Sequence, residues 1–93
     1  MNALNIEWTS QFKRDYKLTM RRHRDLDELD AVIGMLSRRE PLPPKNRDHA
    51  LHNNWEGFRE CHIEPDWLLV YQVIESRLVL SLVRTGTHSD LDF

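Results

Sequence analysis

Residues 55–71, W-E-G-F-R-E-C-H-I-E-P-D-W-L-L-V-Y, decide the fold. Pro65 supplies the φ that a turn's second residue needs and Asp66 suits the third, so Glu64-Pro65-Asp66-Trp67 reads as a tight hairpin turn. Residues 58–64 lead in, and residues 67–74, rich in β-branched and aromatic side chains, lead out. His62, Glu64, Asp66 and the ring of Trp67 crowd that turn. Proton carriers beside an aromatic plate mark it as the place to look for chemistry.

Downstream, a turn at Glu75-Ser76 leads into a third strand over residues 77–85, Thr85-Gly86-Thr87 breaks it, and residues 88–93 form a short tail. Upstream, the proline-pinned segment 41–57 reads as an ordered loop that lays His49 and His52 near the sheet. Leu4, Ile6 and Trp8 alternate with polar residues, as in a half-buried strand. Thr9 and Ser10 then offer a helix N-cap, and Phe12, Tyr16 and Met20 give the helix an apolar stripe. Asp25, with Glu28 three residues on, starts a second helix that buries Leu26, Leu29, Val32, Ile33 and Leu36 and is closed by Pro41. The prediction is a single α+β domain over residues 1–93: two N-terminal helices packed on a mostly antiparallel sheet of about four strands, with a short C-terminal tail.

At 93 residues the chain supports one modest core. Neither a signal peptide nor a membrane-length apolar run is visible, and the single cysteine, Cys61, fits a reducing cytoplasm. The net charge of −2 gives no hint of a nucleic-acid partner. Its distribution says more: residues 11–24 carry Lys13, Arg14, Lys17, Arg21, Arg22 and Arg24 against Asp15 alone. Such a stretch is a solvated helix face or a phosphate contact surface.

With two-residue turns at both hairpins, Glu64 faces Trp67, His62 faces Leu69, Leu69 faces Leu82 and Trp67 faces Arg84. His62, Glu64, Trp67 and Arg84 then share one face at one end of the sheet, with Arg84 and His62 roughly 10 Å apart across the middle strand. A slip of one residue in either hairpin breaks that grouping. Cleavage of RNA by its own 2′-hydroxyl needs a base, an acid and a cation for the charged phosphorane. His49, His62, Asp66 and His88 are candidates for proton transfer, Arg84 for the cation and Trp67 for stacking on a base. Each also has an ordinary reading, as an idle histidine, an ion pair of Arg84 with Glu64 or Asp66, or a packed tryptophan. A zinc site from His49, His52, Cys61 and His62 is the competing chemistry, although no second cysteine pair supports it.

The run R-D-H-A-L-H-N-N-W-E-G-F-R-E-C-H-I-E-P-D-W-L-L-V-Y, then R-T-G-T-H, with T-S-Q-F-K-R-D-Y-K and R-R-H-R-D-L upstream, closely resembles the YafQ toxins of the RelE superfamily. The resemblance covers nearly the whole chain. It implies a RelE-like fold and a ribosome-dependent endoribonuclease that cuts translated mRNA by 2′-hydroxyl attack, without metal or cofactor. It further implies a cytoplasmic bacterial protein silenced by a cognate antitoxin, DinJ-like and of ribbon-helix-helix type, and touching operator DNA only through that complex. By motif, His49 matches D-H-x-L, while His62, Asp66 and Trp67 match H-x-E-P-D-W; Arg84 and His88 match the ends of R-T-G-T-H. His88 becomes the general acid, His49 or His62 with Asp66 the base side, Arg84 the phosphorane cation and Trp67 an RNA contact. Phe93 takes the place of the family's C-terminal aromatic, one residue late and beside two added acids. The negative net charge departs from the family's basic balance, so RNA and ribosome affinity leans on Lys13, Arg14, Lys17 and Arg21. The alternative is a catalytically inert relative that acts only as the antitoxin's partner in autorepression.

Overall fold

The computed structural model describes residues 3–91; Phe93, assigned to RNA binding by resemblance, lies outside them. Strand β1 (Asn5–Trp8) leads into helix α1 (Ser10–Arg21) and helix α2 (Leu26–Ser37). Strands β2 (His49–Ala50), β3 (Arg59–Glu64), β4 (Trp67–Ile74) and β5 (Val79–Gly86) follow, and helix α3 (His88–Leu91) closes the described chain. The sheet has five strands in the order β1-β5-β4-β3-β2; β1 runs parallel to β5 and the other pairs are antiparallel. The fifth strand, β2, comes from segment 41–57, which is built from two 3-10 turns (Pro44–Asn46 and Asn53–Trp55) around a two-residue strand.

Both helices start at the caps that the sequence offers. The Thr9 hydroxyl accepts from the Phe12 amide and donates to the Val83 carbonyl, so one side chain caps α1 and ties it to β5. Asp25 accepts from the amides of Asp27 and Glu28. The apolar face of α2 packs as expected, whereas α1 is turned: Phe12, Asp15 and Thr19 are buried and Met20 is 51% exposed. A strict four-residue step drifts about 40° per repeat on an α-helix, so Met20 winds off the face that Phe12 buries.

One core lies between the helices and the sheet, joining Phe12, Leu29, Ile33 and Leu36 to Cys61, Ile63, Trp67, Leu69, Tyr71, Leu80 and Leu82. The opposite face carries a smaller cluster of Leu68, Val70 and Leu91, with Leu51, Trp55, Phe58 and Val83 against it. Among the described residues no helix is long and apolar enough to cross a membrane.

The first turn forms as read, with Glu64 opposite Trp67, but a bulge at Ile63 then sets His62 opposite Leu68. The second connection is a 3-10 turn (Glu75–Arg77) closed by left-handed Leu78, so Ile74 pairs with Val79 rather than Arg77. A further bulge at Val83 brings Arg84 opposite Val70. Both hairpins therefore depart from the two-residue register by an odd number of positions. His62 and Arg84 move together to the α3 side of the sheet, while Trp67 stays on the helix side.

Candidate functional site

The α3 side of the sheet, at the end bearing the 64–67 turn, gathers three of the proposed histidines. The His49 and His62 rings lie 6.5 Å apart between centroids, and those of His62 and His88 lie 5.7 Å apart. Each presents Nδ1 to an oxygen: His49 to the Arg47 carbonyl at 2.7 Å, His62 to the Pro65 carbonyl at 3.3 Å, and His88 to Asp66 Oδ1 at 2.6 Å. A carbonyl only accepts, so Nδ1 of His49 and His62 carries the hydrogen; Nε2 of His62 is left as a working nitrogen, while that of His49 faces Glu60. Arg47 is left-handed (φ 48°), which is how its carbonyl comes to face His49 only two residues on. The Asn46 amide is buried and donates to the His62 carbonyl at 2.7 Å, fastening the same loop to β3.

His88 is fixed from two directions. Asp66 accepts from both its backbone N–H and its ring; the backbone bond is the larger of the causes that hold the Asp66 carboxyl below its ordinary value. A carboxylate only accepts, so Nδ1 of His88 carries the hydrogen and Nε2 is the nitrogen left open. Asp66, assigned above to the base side with His49 or His62, thus stands with the proposed acid instead. Behind His88, Thr87 and Asp90 form a reciprocal capping box: the Thr87 hydroxyl accepts from the Asp90 amide and the Asp90 carboxylate from the Thr87 amide. Arg22 then clamps Asp90 at 2.6 Å, and these bonds, Arg22's first, pull the Asp90 carboxyl down to about 2. Residue 88 therefore begins an ordered turn of helix where the sequence reading had a tail.

Arg84 reaches α1, with Nε 2.8 Å from Asp15 Oδ2, rather than Glu64 or Asp66. Trp67 is fully buried, its indole N–H donating to the Thr85 hydroxyl at 2.9 Å and its ring lying 5.5 Å from the Arg24 guanidinium. A ring enclosed on the helix side offers no face to a base, which corrects its assignment as an RNA contact. Lys13, Arg14, Lys17 and Arg21 are exposed along α1, with Arg14 bonded to Gln11. Cys61 is buried on the helix side and its thiol is pushed up by burial, so it points away from His62 and the zinc set is divided between two faces. Among the described residues no three such ligands converge on a metal position.

Sequence reading missed Glu60. It is buried, and its carboxylate lies 3.4 Å from His49 Nε2. The available signal was parity: Glu60 and His62 are two apart on one strand and must share a face. In chemical terms the site holds a carboxylate-fixed imidazole, two more imidazoles with defined tautomers, a buried acid and a guanidinium. Those are the parts of general acid–base catalysis at a phosphodiester.

Over residues 4–92 the sequence matches the family described as bacterial toxin of type II toxin–antitoxin system, YafQ. It is 40% identical over 88 residues to the mRNA interferase toxin YafQ of Escherichia coli BL21(DE3), covering 94% of each chain. Among solved structures, the fold is similar to YafQ in the crystal structure of the E. coli DinJ–YafQ toxin–antitoxin complex, at a TM-score of 0.87 and 38% identity over 96% of this chain and 97% of that one. A metal-bound toxin from Helicobacter pylori aligns at a TM-score of 0.90 and 44% identity, over 95% and 98% of the two chains.

Proposed function

The chain belongs to the YafQ family of bacterial type II toxins, and from that premise we propose that it is an mRNA interferase, an endoribonuclease that cuts translated messages on the ribosome. The observation that carries the mechanism is the His62–His88 pair, 5.7 Å apart, each with Nδ1 engaged and Nε2 left to work. That spacing accommodates a scissile phosphate between a base and an acid. His62 Nε2 takes the 2′-hydroxyl proton, the 2′-oxygen attacks phosphorus, and His88 Nε2 protonates the departing 5′-oxygen. The products are a 2′,3′-cyclic phosphate and a 5′-hydroxyl, with no cofactor required. His49, held between the Arg47 carbonyl and Glu60, supports charge at the attacking side. Arg84 stabilises the phosphorane, and the exposed cations of α1 (Lys13, Arg14, Lys17 and Arg21) contact ribosomal or messenger phosphates.

The same family membership supports a DinJ-like antitoxin of ribbon-helix-helix type as the neutralising partner. It also supports contact with operator DNA only through that complex, and residence in the bacterial cytoplasm. The test is cleavage of a defined message on purified translating ribosomes, with the same RNA free in solution alongside. Cuts only in the translated sample, ending in a cyclic phosphate and abolished by the co-purified antitoxin, are expected. An intact translated message at equimolar protein refutes the proposal.

A further inference from the structure

Asp15 is a buried acid of α1 whose carboxylate takes three of its four hydrogen bonds from the site end of β5. Oδ2 accepts from Arg84 Nε at 2.8 Å and from the Thr85 amide at 3.1 Å; Oδ1 accepts from an Arg84 terminal nitrogen at 3.3 Å and from Gln11 at 3.0 Å. A carboxylate offers about four lone-pair sites, and these four donors fill them. The carboxylate is fixed in position, and so is the guanidinium it grips. Two of Arg84's five N–H groups are used on Asp15, and the other three have no acceptor among the described residues.

A salt bridge made only for stability is a poor use of a buried position, since apolar residues of similar size often do as well. Here the acid also takes the place of a strand neighbour: β1 pairs with Val79 to Leu82 only, and Asp15 accepts the Thr85 amide beyond that point. We propose that Asp15 is a positioning residue, which aims the free donors of Arg84 at the phosphorane; this rests on the reading of Arg84 as the transition-state cation. Holding the guanidinium in place beforehand avoids reorganising it when charge develops, so its benefit falls on kcat rather than on substrate affinity.

The experiment compares kcat and KM for cleavage of ribosome-bound message by the parent, Asp15→Asn, Asp15→Glu, Arg84→Ala and the double variant Asp15→Asn/Arg84→Ala. Asp15→Asn should lose on the order of 10²-fold in kcat, as a displaced catalytic group does, with KM little changed. The double variant should be no slower than Arg84→Ala alone, because the two residues act as one unit. Asp15→Glu keeps the charge that pairs with Arg84, and a Tm measured on every variant establishes that the protein assayed is folded. A merely structural role predicts parental kcat for it, and positioning predicts a loss. Parental kcat in Asp15→Glu, or additive losses in the double variant, overturns the proposal while leaving Arg84 in the reaction. If Arg84→Ala itself cleaves like the parent, the assignment of Arg84 has failed and the role of Asp15 goes with it.

Discussion

Replacing Trp67 with phenylalanine separates a packing role from an RNA-binding one. The indole is fully buried, donates to the Thr85 hydroxyl at 2.9 Å and lies under Arg24. Phenylalanine removes two ring carbons and the nitrogen, worth about 1.5 kcal/mol of transfer free energy at roughly 0.8 per buried carbon. The lost hydrogen bond adds about 1 kcal/mol, and a partly collapsed cavity about half as much again. The total is about 3 kcal/mol, which lowers Tm by roughly 12–24 °C in a domain of this size. The Thr85 hydroxyl still donates to the Leu68 carbonyl, so no buried donor is orphaned. Thermal unfolding by circular dichroism reads the first quantity. Single-turnover cleavage at 20 °C, below both transitions, reads the second and should stay within severalfold of the parent. An unchanged Tm with abolished cleavage would put the ring on the RNA and refute the packing argument.

The remaining predictions concern the α3 latch and the histidines. His88→Ala should fold with a change of only about 0.5 kcal/mol, since its side chain is 54% exposed, yet lose about 10²–10⁴-fold in cleavage rate. His52→Ala, exposed and outside the histidine cluster, should cleave at the parental rate in the same assay. Asp90 has a folded pKa of about 2 against an ordinary 3.8, so its contribution is complete above pH 4 and is lost as pH falls toward 2. Asp90→Asn should therefore destabilise by about 1–2 kcal/mol at neutral pH and flatten the melting profile between pH 4 and 2, as read by thermal melts across that range. Gly86→Ala places a Cβ 2.9 Å from that of Asp90, which must push α3 away. We expect an overpacking cost of about 1–3 kcal/mol and a loss of cleavage beyond what the Tm shift explains, measured on the same preparation.

Local chemistry was legible in the sequence, and the elements it specifies alone came out where expected. Thr9 and Asp25 cap their helices, α2 buries the face that its period marks, and Pro65-Asp66 turns the first hairpin. Register was not legible, because the bulges at Ile63 and Val83 and the left-handed Leu78 are settled by packing across strands rather than by the residues at the turn. His62 and Arg84 kept company because both hairpins slipped by odd steps, whereas Trp67, read on the same face, ended in the core. Strand β2 and its flanking 3-10 turns are too short to show any period. The α3 latch was readable in principle: Thr87-His88-Ser89-Asp90 has capping-box spacing. Its partners Asp66 and Arg22 lie far away in sequence, so only the folded chain shows what the latch holds.

The parallel pairing of β1 with β5 has a consequence for the order in which the molecule can be made. The Thr9 hydroxyl closes on the Val83 carbonyl across 74 positions, and β1 joins the sheet only through β5. Synthesis runs from the N-terminus, so the first strand emerges and waits for its partner until β5 has been translated. Arg84 and His88 arrive in that same late stretch. A nascent chain therefore has neither a finished sheet nor a finished site while β5 is still inside the machine that makes it. For a protein proposed to cut messages on ribosomes, the site is thereby completed only after β5 has emerged and closed on β1 and β4.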